Sequence, residues 1–321
     1  MGNQVNSGLA TLSDQLVLAT VLLYLAAMIG YALELAFGRT HATAGVATQV
    51  AERELVTAGG GAAGVPGPAA DQAREPEPTG WANRAGTIAV ALGWLGWAAN
   101  LGAIGLRGIS VDRWPWGNMY EFVVAMCFAA VTAFLVLAIR YPIRFLGAFV
   151  MVVAALGLGF AVHYLHVAAG PVMPALDSYW VAIHVTAAIV ASGLFTVGGL
   201  SGVLFLIRKD GPSKLPTRAD LDRIAHRVIV IAFPIWTFAV IAGSMWADRA
   251  WGRYWGWDPK EVWAFITWIA YAAYLHARAT AGWRGRAIVI IQLVAFGCLM
   301  FNLVGVNVFL GGLHSYADVP G

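Results

Sequence analysis

The hydrophobic positions of this chain fall into eight long runs, which short polar segments separate. Within each run apolar residues fill consecutive positions, without the strict alternation of a half-buried strand. The hydrocarbon core of a bilayer requires about 20 apolar residues in a helix, so each run can form a membrane-spanning helix. The predicted spans are residues 14–37, 82–106, 119–139, 145–166, 179–207, 226–247, 261–279 and 286–310.

Composition supports this interpretation. The 321 residues are 60% hydrophobic and only 12% charged, and the mean hydropathy is +0.70. A soluble domain averages about 25% charged residues. Inside a bilayer only helices and closed barrels satisfy all backbone hydrogen bonds, and these runs are too long for barrel strands. The chain is therefore predicted to be an all-α, polytopic integral membrane protein with about eight transmembrane helices.

The positions of lysine and arginine predict the orientation of the spans. Eight spans divide the connections into two sets, one holding fifteen basic residues and the other five. The set with fewer basic residues contains Arg107, Arg113, Arg249, Arg253 and Lys260. Basic residues concentrate on the cytoplasmic side of a membrane. Both termini are thus expected outside the cytoplasm, an N-out/C-out topology.

Three regions are predicted along the chain. Residues 1–39 form an N-terminal transmembrane anchor, which we expect to be retained because no basic residue precedes Arg39. Residues 40–80 are rich in Ala, Gly, Pro and Glu, which predicts a disordered cytoplasmic loop. Residues 81–321 form the main membrane domain, which shows no clear internal repeat. Cys127 and Cys298 lie in separate spans without a CxxC motif, so no dithiol chemistry is expected.

One outer connection, residues 246–263, is crowded with aromatic and cationic side chains. Its tryptophans are Trp246, Trp251, Trp255, Trp257 and Trp263. A flat aromatic surface beside Arg249, Arg253 and Lys260 suits a flat apolar ligand that carries carboxylates at one edge, as haem does. Tryptophan also belts membrane interfaces, but a belt would spread such residues over all the spans.

A helix start lies inside this connection. Asp258 can cap the helix, Pro259 fits its first position, and Glu261 can reach back as in a capping box. The same pattern occurs at Asn118 and Glu121, before the third span. These residues therefore have a structural interpretation that needs no ligand.

Two histidines are candidates for axial ligands of haem iron. His184 lies near the outer start of the fifth span and His314 follows the eighth, on the same predicted side as the tryptophans. His276 lies in the seventh span toward its cytoplasmic end, so a second ligand there would have to come from another subunit. His163 and His166 are interpreted as structural or supporting residues.

These motifs together resemble a known family. The segment 251–263 is similar to the WWD domain of haem-handling proteins. With residues 116–121, 177–184 and 305–314, it resembles the CcsA (ResC) component of System II cytochrome c maturation. The resemblance implies haem contacts from Trp251, Trp255, Trp257, Asp258, Trp263, Arg253 and Lys260. It also implies that His184 and His314 bind iron at the outer face, and that His276 serves an inner haem site.

The resemblance implies a function as well. A CcsA-type protein would sit in the bacterial cell membrane, bind haem b as cargo and present it outside the cytoplasm. Thioether bonds would then form to the CxxCH cysteines of apocytochrome c. Expected partners are a ResB/CcsB-like membrane protein and, indirectly, thiol-reducing proteins, but no nucleic acid. The chain would be the haem-presenting subunit of a cytochrome c haem lyase complex, with possible haem export, and its own catalytic status is left open.

Three alternatives are carried forward. One is a WWD protein that delivers haem in System I. A second is a b-type cytochrome for transmembrane electron transfer, which would need stacked histidine pairs at two depths. The third is a solute transporter with an aromatic gate, which would bind no haem. A Soret band in the purified protein would separate the third from the others.

Overall fold

The computed structural model describes residues 5–38, 80–209, 211, 213–280 and 282–314. Within these ranges it contains eight long helices and no strand. They are α1 (Ser7–Phe37), α2 (Gly80–Val111), α3 (Met119–Arg140), α4 (Gly147–Tyr164), α5 (Tyr179–Ile207), α6 (Arg218–Trp251), α7 (Pro259–Ala279) and α8 (Arg286–Met300). A π-turn, Phe301–Gly305, links α8 to the short helix α9 (Val306–Phe309). The predicted disordered loop, apart from Gly80, lies outside the described residues.

The predicted all-α polytopic fold is confirmed. By length and composition, seven of the described helices could cross a membrane. The seventh predicted span, residues 261–279, forms α7, which does not reach the same apolarity because charged residues lie at both its ends. Several helices are longer than the apolar runs. In α6, Thr217 caps a polar first turn by accepting a hydrogen bond from the Asp220 amide at 3.2 Å.

Helix α7 nevertheless runs antiparallel to α6 over most of its length. The indole of Trp268 donates to Thr237 at 2.9 Å near the middle of the pair. Arg278 forms a bidentate ion pair with Asp222 at 2.6 and 2.8 Å near the far end. The fifteen residues from Asp222 to Thr237 correspond to about 22 Å along α6. The last turn of α7 therefore lies far from residues 246–263, the tryptophan loop.

The helices pack as two neighbouring groups. In one, α1 packs along α2 and against α4; in the other, α5 packs along α6 and against α8, which also contacts α7. Helix α3 contacts α5 and connects the groups. Small residues allow close approach, as at Gly30, where an added Cβ would lie 2.8 Å from that of Ala89. This arrangement brings the starts of α3 and α5 to the same end of the bundle.

A buried ionic cluster fixes the corner between α2 and α3. Helix α2 extends beyond its predicted end, so Arg107 is inside the bundle rather than in a loop. Arg107 and Arg113 both bind the Glu121 carboxylate, at 3.1 and 2.9 Å, and Arg107 also reaches Asp14 of α1 at 3.3 Å. Asn118 caps α3 by accepting from the Glu121 amide at 2.9 Å. The segment 113–119 is thereby held in place.

Candidate functional site

A large cavity lies at this end of the bundle. The first turns of α3, α5 and α7, the second half of α6, the tryptophan loop and the π-turn after α8 form its walls. Its empty space, including the open mouth, is about 1160 Å³. Small-molecule sites are typically clefts lined mostly by apolar side chains with a few polar groups, and the lining of this cavity is of that kind. His184 and His314, from distant parts of the sequence, both line it.

His184 lies in the second turn of α5 and faces α6. Its Nδ1 is 2.7 Å from the carbonyl oxygen of Ala239, which can only accept, so Nδ1 carries the proton. The ring lies nearly parallel to the indole of Trp246, with 6.1 Å between centroids. Gly243 makes this position possible, because a Cβ there would lie 2.8 Å from two atoms of the imidazole. The lone pair of His184 is therefore on Nε2.

His314 is held by a carboxylate. Its Nδ1 is 2.8 Å from Asp258 Oδ1, and the Leu313 amide donates to Oδ2 of the same carboxylate at 2.6 Å. The imidazole packs edge-on against Trp251 and Trp246, at centroid distances of 5.1 and 5.4 Å. With Nδ1 bound to a carboxylate, Nε2 is again the ring nitrogen able to bind a metal.

Asp258 has two roles that the sequence predicted only in part. As expected, it caps α7, accepting from the Lys260 amide at 3.0 Å within a complete capping box with Glu261. It also anchors the end of the described chain at His314. Burial acts to raise the pKa of its carboxyl, but the hydrogen bonds it accepts from His314 and from the Leu313 amide outweigh burial. Its pKa is lowered, so it is a carboxylate at neutral pH.

The tryptophans of the loop divide into two groups. Trp246, Trp251 and Trp255 line the cavity. Trp257 is 69% exposed and has a positive φ of 58°, a strained value for a bulky residue, and it does not line the cavity. Trp263 packs against Phe301 of the π-turn, with centroids 4.2 Å apart. Trp246, which touches both histidines, donates its indole N–H to the Ala175 carbonyl at 2.8 Å.

The basic residues are also distributed unequally. Lys260 lines the cavity, and its ammonium donates to the Asn302 carbonyl of the π-turn at 2.6 Å. Arg253 is exposed and is not among the lining residues. Arg249 lies over the ring of Tyr179 and bonds its hydroxyl at 3.3 Å, outside the cavity. Lys260 is thus the basic residue best placed for a carboxylate bound in the cavity.

The remaining histidines considered in the sequence lie elsewhere. His276 is exposed near the end of α7. It lies sixteen residues after Lys260, which corresponds to about 24 Å along the helix axis. His166 bonds Asp14 at 3.2 Å, and His163 stacks edge-on with Tyr164. None of these three imidazoles lines the cavity.

The structure adds residues that were not among the predicted site residues. Trp116, Met119, Trp236, Asn302 and Asn307 also line the cavity. The Trp116 indole nitrogen and the Asn302 side-chain oxygen are buried without a hydrogen-bond partner in the described chain. Trp116 could have been suspected from its position just before the Asn118 cap. No sequence pattern predicted the π-turn that places Asn302 in the cavity wall.

These groups suit a flat tetrapyrrole. Aromatic walls provide apolar contact, and two imidazoles, each with Nδ1 hydrogen-bonded to an acceptor, line the same cavity. Among the described residues no group of three His, Cys, Asp or Glu side chains could hold a bare metal ion. Two imidazoles are instead sufficient for iron whose other four ligands come from a porphyrin.

Comparison with known proteins gives a consistent result. The family model described as "Cytochrome C assembly protein" matches residues 116–314, so the match begins at Trp116 and ends at His314. A relative from Chlamydomonas reinhardtii named "Cytochrome c biogenesis protein CcsA" is 36% identical over 64% of this chain. The protein of the same name from Synechococcus elongatus is 33% identical over 72% of this chain and 86% of its own length.

The matches differ in extent. The aligned region spans 61% of the Chlamydomonas protein. A solved structure of "Cytochrome c Heme Lyase CcmF" superimposes with a TM-score of 0.54, covering 92% of this chain and 46% of that one, at 17% identity. This likeness concerns the fold alone. The sequence relatives favour cytochrome c maturation over the electron-transfer and transporter alternatives.

Proposed function

This chain belongs to the cytochrome c assembly protein family, and from that premise we propose that it binds haem between His184 and His314. In this position the protein presents the haem for covalent attachment to an apocytochrome c. The chain acts as the haem-presenting subunit of a cytochrome c haem lyase complex. Because thioether formation consumes vinyl groups, the cargo is haem b.

One observation carries the proposal. Two imidazoles that are 130 residues apart in sequence line one cavity, each with Nδ1 bound to an acceptor. This pattern fixes the tautomer and the ring orientation, as in most metal-binding histidines. Either histidine alone would be an ordinary hydrogen-bonded residue.

The walls of the cavity position the ring system. Trp251 and Trp255 supply flat apolar surfaces, and Lys260 offers a cation to a propionate. Trp116 and Asn302 contribute a donor and an acceptor that have no hydrogen-bond partner among the described residues. Positioning is the main contribution of such a site, because a well-oriented complex reacts as an intramolecular pair.

The chemistry needs little from this chain beyond that position. Each substrate cysteine adds its sulfur to one vinyl carbon while a proton is gained at the other, so no electron is transferred in the addition. The CxxCH motif belongs to the substrate. Cys127 and Cys298 of this chain are free thiols in different helices and take no part.

His276 supports a second haem position near the other end of the bundle. It lies on an outward-facing stripe of α7 with Phe265, Ile269 and Ala273, all exposed. A second imidazole would come from a membrane helix of a ResB/CcsB-like partner packed on this stripe. Haem would thus enter near the cytoplasmic face and be presented outside it, in the bacterial cell membrane.

Absorption spectra of the purified protein test the axial ligands. We expect wild type to carry low-spin haem, and His184→Ala and His314→Ala each to lose the six-coordinate spectrum. His163→Ala is a matched control, because this imidazole lies outside the cavity. Unchanged ligation in both cavity variants would refute the proposal.

A further inference from the structure

Within the proposed function, the geometry points to unequal roles for the two axial histidines: His314 is the retained ligand, and His184 is the one that the substrate's histidine replaces. The apocytochrome CxxCH motif brings its own imidazole to the iron. One of the two protein imidazoles must therefore leave the iron. The surroundings of the two rings differ, and these differences determine which imidazole leaves.

The acceptors at Nδ1 differ in charge. His314 donates to the Asp258 carboxylate at 2.8 Å, whereas His184 donates to the neutral carbonyl of Ala239 at 2.7 Å. A carboxylate partner draws the Nδ1 proton more strongly and makes the other nitrogen a better electron donor. His314 is consequently the stronger ligand, and the bond from His184 breaks more easily.

The groups that hold His314 also differ from those that hold His184, and they too favour His314 as the retained ligand. Asp258 accepts from His314, from the Leu313 amide and from the Lys260 amide, so the carboxylate is tied to the start of α7. An added Cβ at Gly312 would collide with Asp258, which shows how closely this segment is seated. His184 is also closely seated, against Gly243 and Trp246, but its Nδ1 hydrogen bond goes to a neutral carbonyl rather than to a carboxylate.

A surface groove adjoins the cavity near the start of α5, the helix that carries His184. The groove, of about 1090 Å³ including open solvent, runs past the exposed side chains of Asp112, Asp177 and Tyr179. It shares four lining residues with the cavity: Trp116, Gly117, Leu176 and Val181. Val181 lies one turn before His184 on α5. A substrate segment in this groove would arrive beside His184.

The exchange is balanced without a co-reactant. One bond between iron and the Nε2 of His184 breaks, and one bond to the Nε2 of the substrate histidine forms. Both imidazoles are neutral, so neither electrons nor protons are consumed. His314 continues to hold the opposite face while the cysteines react.

The iron–histidine stretching frequency of ferrous haem, measured by resonance Raman spectroscopy, tests the difference between the ligands. His184→Gly leaves His314 as the ligand, and His314→Gly leaves His184. We expect the higher frequency in His184→Gly, and a decrease when Asp258→Asn is added to it. Asparagine is a good helix cap, so this change removes the charge while keeping the start of α7.

A second measurement follows exchange directly. A Ser-x-x-Ser-His peptide, which cannot form thioethers, is mixed with the wild-type haem complex. We expect the wild-type complex to convert to a spectrum matching that of peptide-treated His184→Gly. Conversion to the peptide-treated His314→Gly spectrum would overturn the inference, as would equal or reversed stretching frequencies.

The two proposals fail in different ways. If neither glycine variant changes the haem spectrum, the axial assignment itself is wrong. If both change it but the frequencies are equal or reversed, haem binding stands and only the order of exchange is wrong. Should His314→Gly not retain haem, the peptide experiment decides the question, because a wild-type complex that does not convert to the spectrum of peptide-treated His184→Gly overturns the inference.

Discussion

At the scale of single residues, the site depends on what stands behind each imidazole. His184 can turn toward the cavity only because position 243 has no side chain. His314 takes its direction from the Asp258 carboxylate. Hydrogen-bonded neighbours of this kind determine which nitrogen carries the lone pair, and hence whether a histidine can bind iron.

Gly243→Ala tests this dependence. The new methyl would lie 2.8 Å from His184 Cε1 and Nδ1, so the ring must shift away from the Ala239 carbonyl. We expect a folded protein that loses low-spin haem, with a stability cost of about 1–3 kcal/mol from overpacking. Spectra and thermal unfolding measure the two effects. Gly297→Ala is the control, since nothing lies within 4 Å of an added Cβ there; equal haem spectra in both variants would contradict the prediction.

At the scale of elements, the cavity depends on how helix ends are fastened. The α2–α3 corner carries Trp116 and Met119 into the wall and is held by Glu121 between two arginines. The Glu121 side chain is 1% exposed and that of Arg107 is 3% exposed. Removing one member of a buried ion pair is far more costly than removing an exposed one, because a charge is left without its partner.

Glu121→Gln should therefore destabilise the protein by about 3–5 kcal/mol. Asp220→Asn breaks an exposed pair with Arg223, whose members are 43% and 60% exposed, and should cost no more than about 1 kcal/mol. Chemical unfolding in detergent micelles compares them. Similar losses from both substitutions would show that the buried cluster does not hold the corner.

At the scale of the whole molecule, the cavity and His276 lie toward opposite ends of the bundle. Helix α5 illustrates the distance between the two ends: it begins beside the cavity and is 29 residues long, which corresponds to about 43 Å along its axis. The excess of basic residues in the connections at the far end predicts that end to be cytoplasmic. The cavity would then face outward, where an apocytochrome could reach it.

Cysteine labelling in intact cells tests this orientation. Asp177→Cys, just before α5, should react with a membrane-impermeant maleimide from outside. Lys209→Cys, just after α5, should react only once the membrane is permeabilised. Both positions are exposed, whereas Cys127 is buried. The reverse pattern of labelling would invert the topology and place the cavity in the cytoplasm.

Much of the fold could be predicted from local sequence. Continuous apolar runs require helices in a bilayer, whatever their neighbours, so all eight long helices were anticipated. The caps at Asn118 and Asp258 were also predictable, because capping involves residues only a few positions apart. The motifs of the tryptophan loop sufficed for the family, which the comparisons confirm. Helix ends were misjudged where polar turns continue beyond the apolar run, as at the start of α6.

The sequence by itself determined the class, the helices and the residue types that haem requires. Only the tertiary structure decided which of them face the cavity: Trp251 does, and Trp257, six residues later, is exposed. The reason is physical. In a membrane protein both the lipid-facing and the core-facing sides of a helix are apolar, so hydrophobic periodicity cannot reveal which side is inside. The Gly243 gap and the Asp258–His314 bond arise from contacts distant in sequence, which no local pattern specifies.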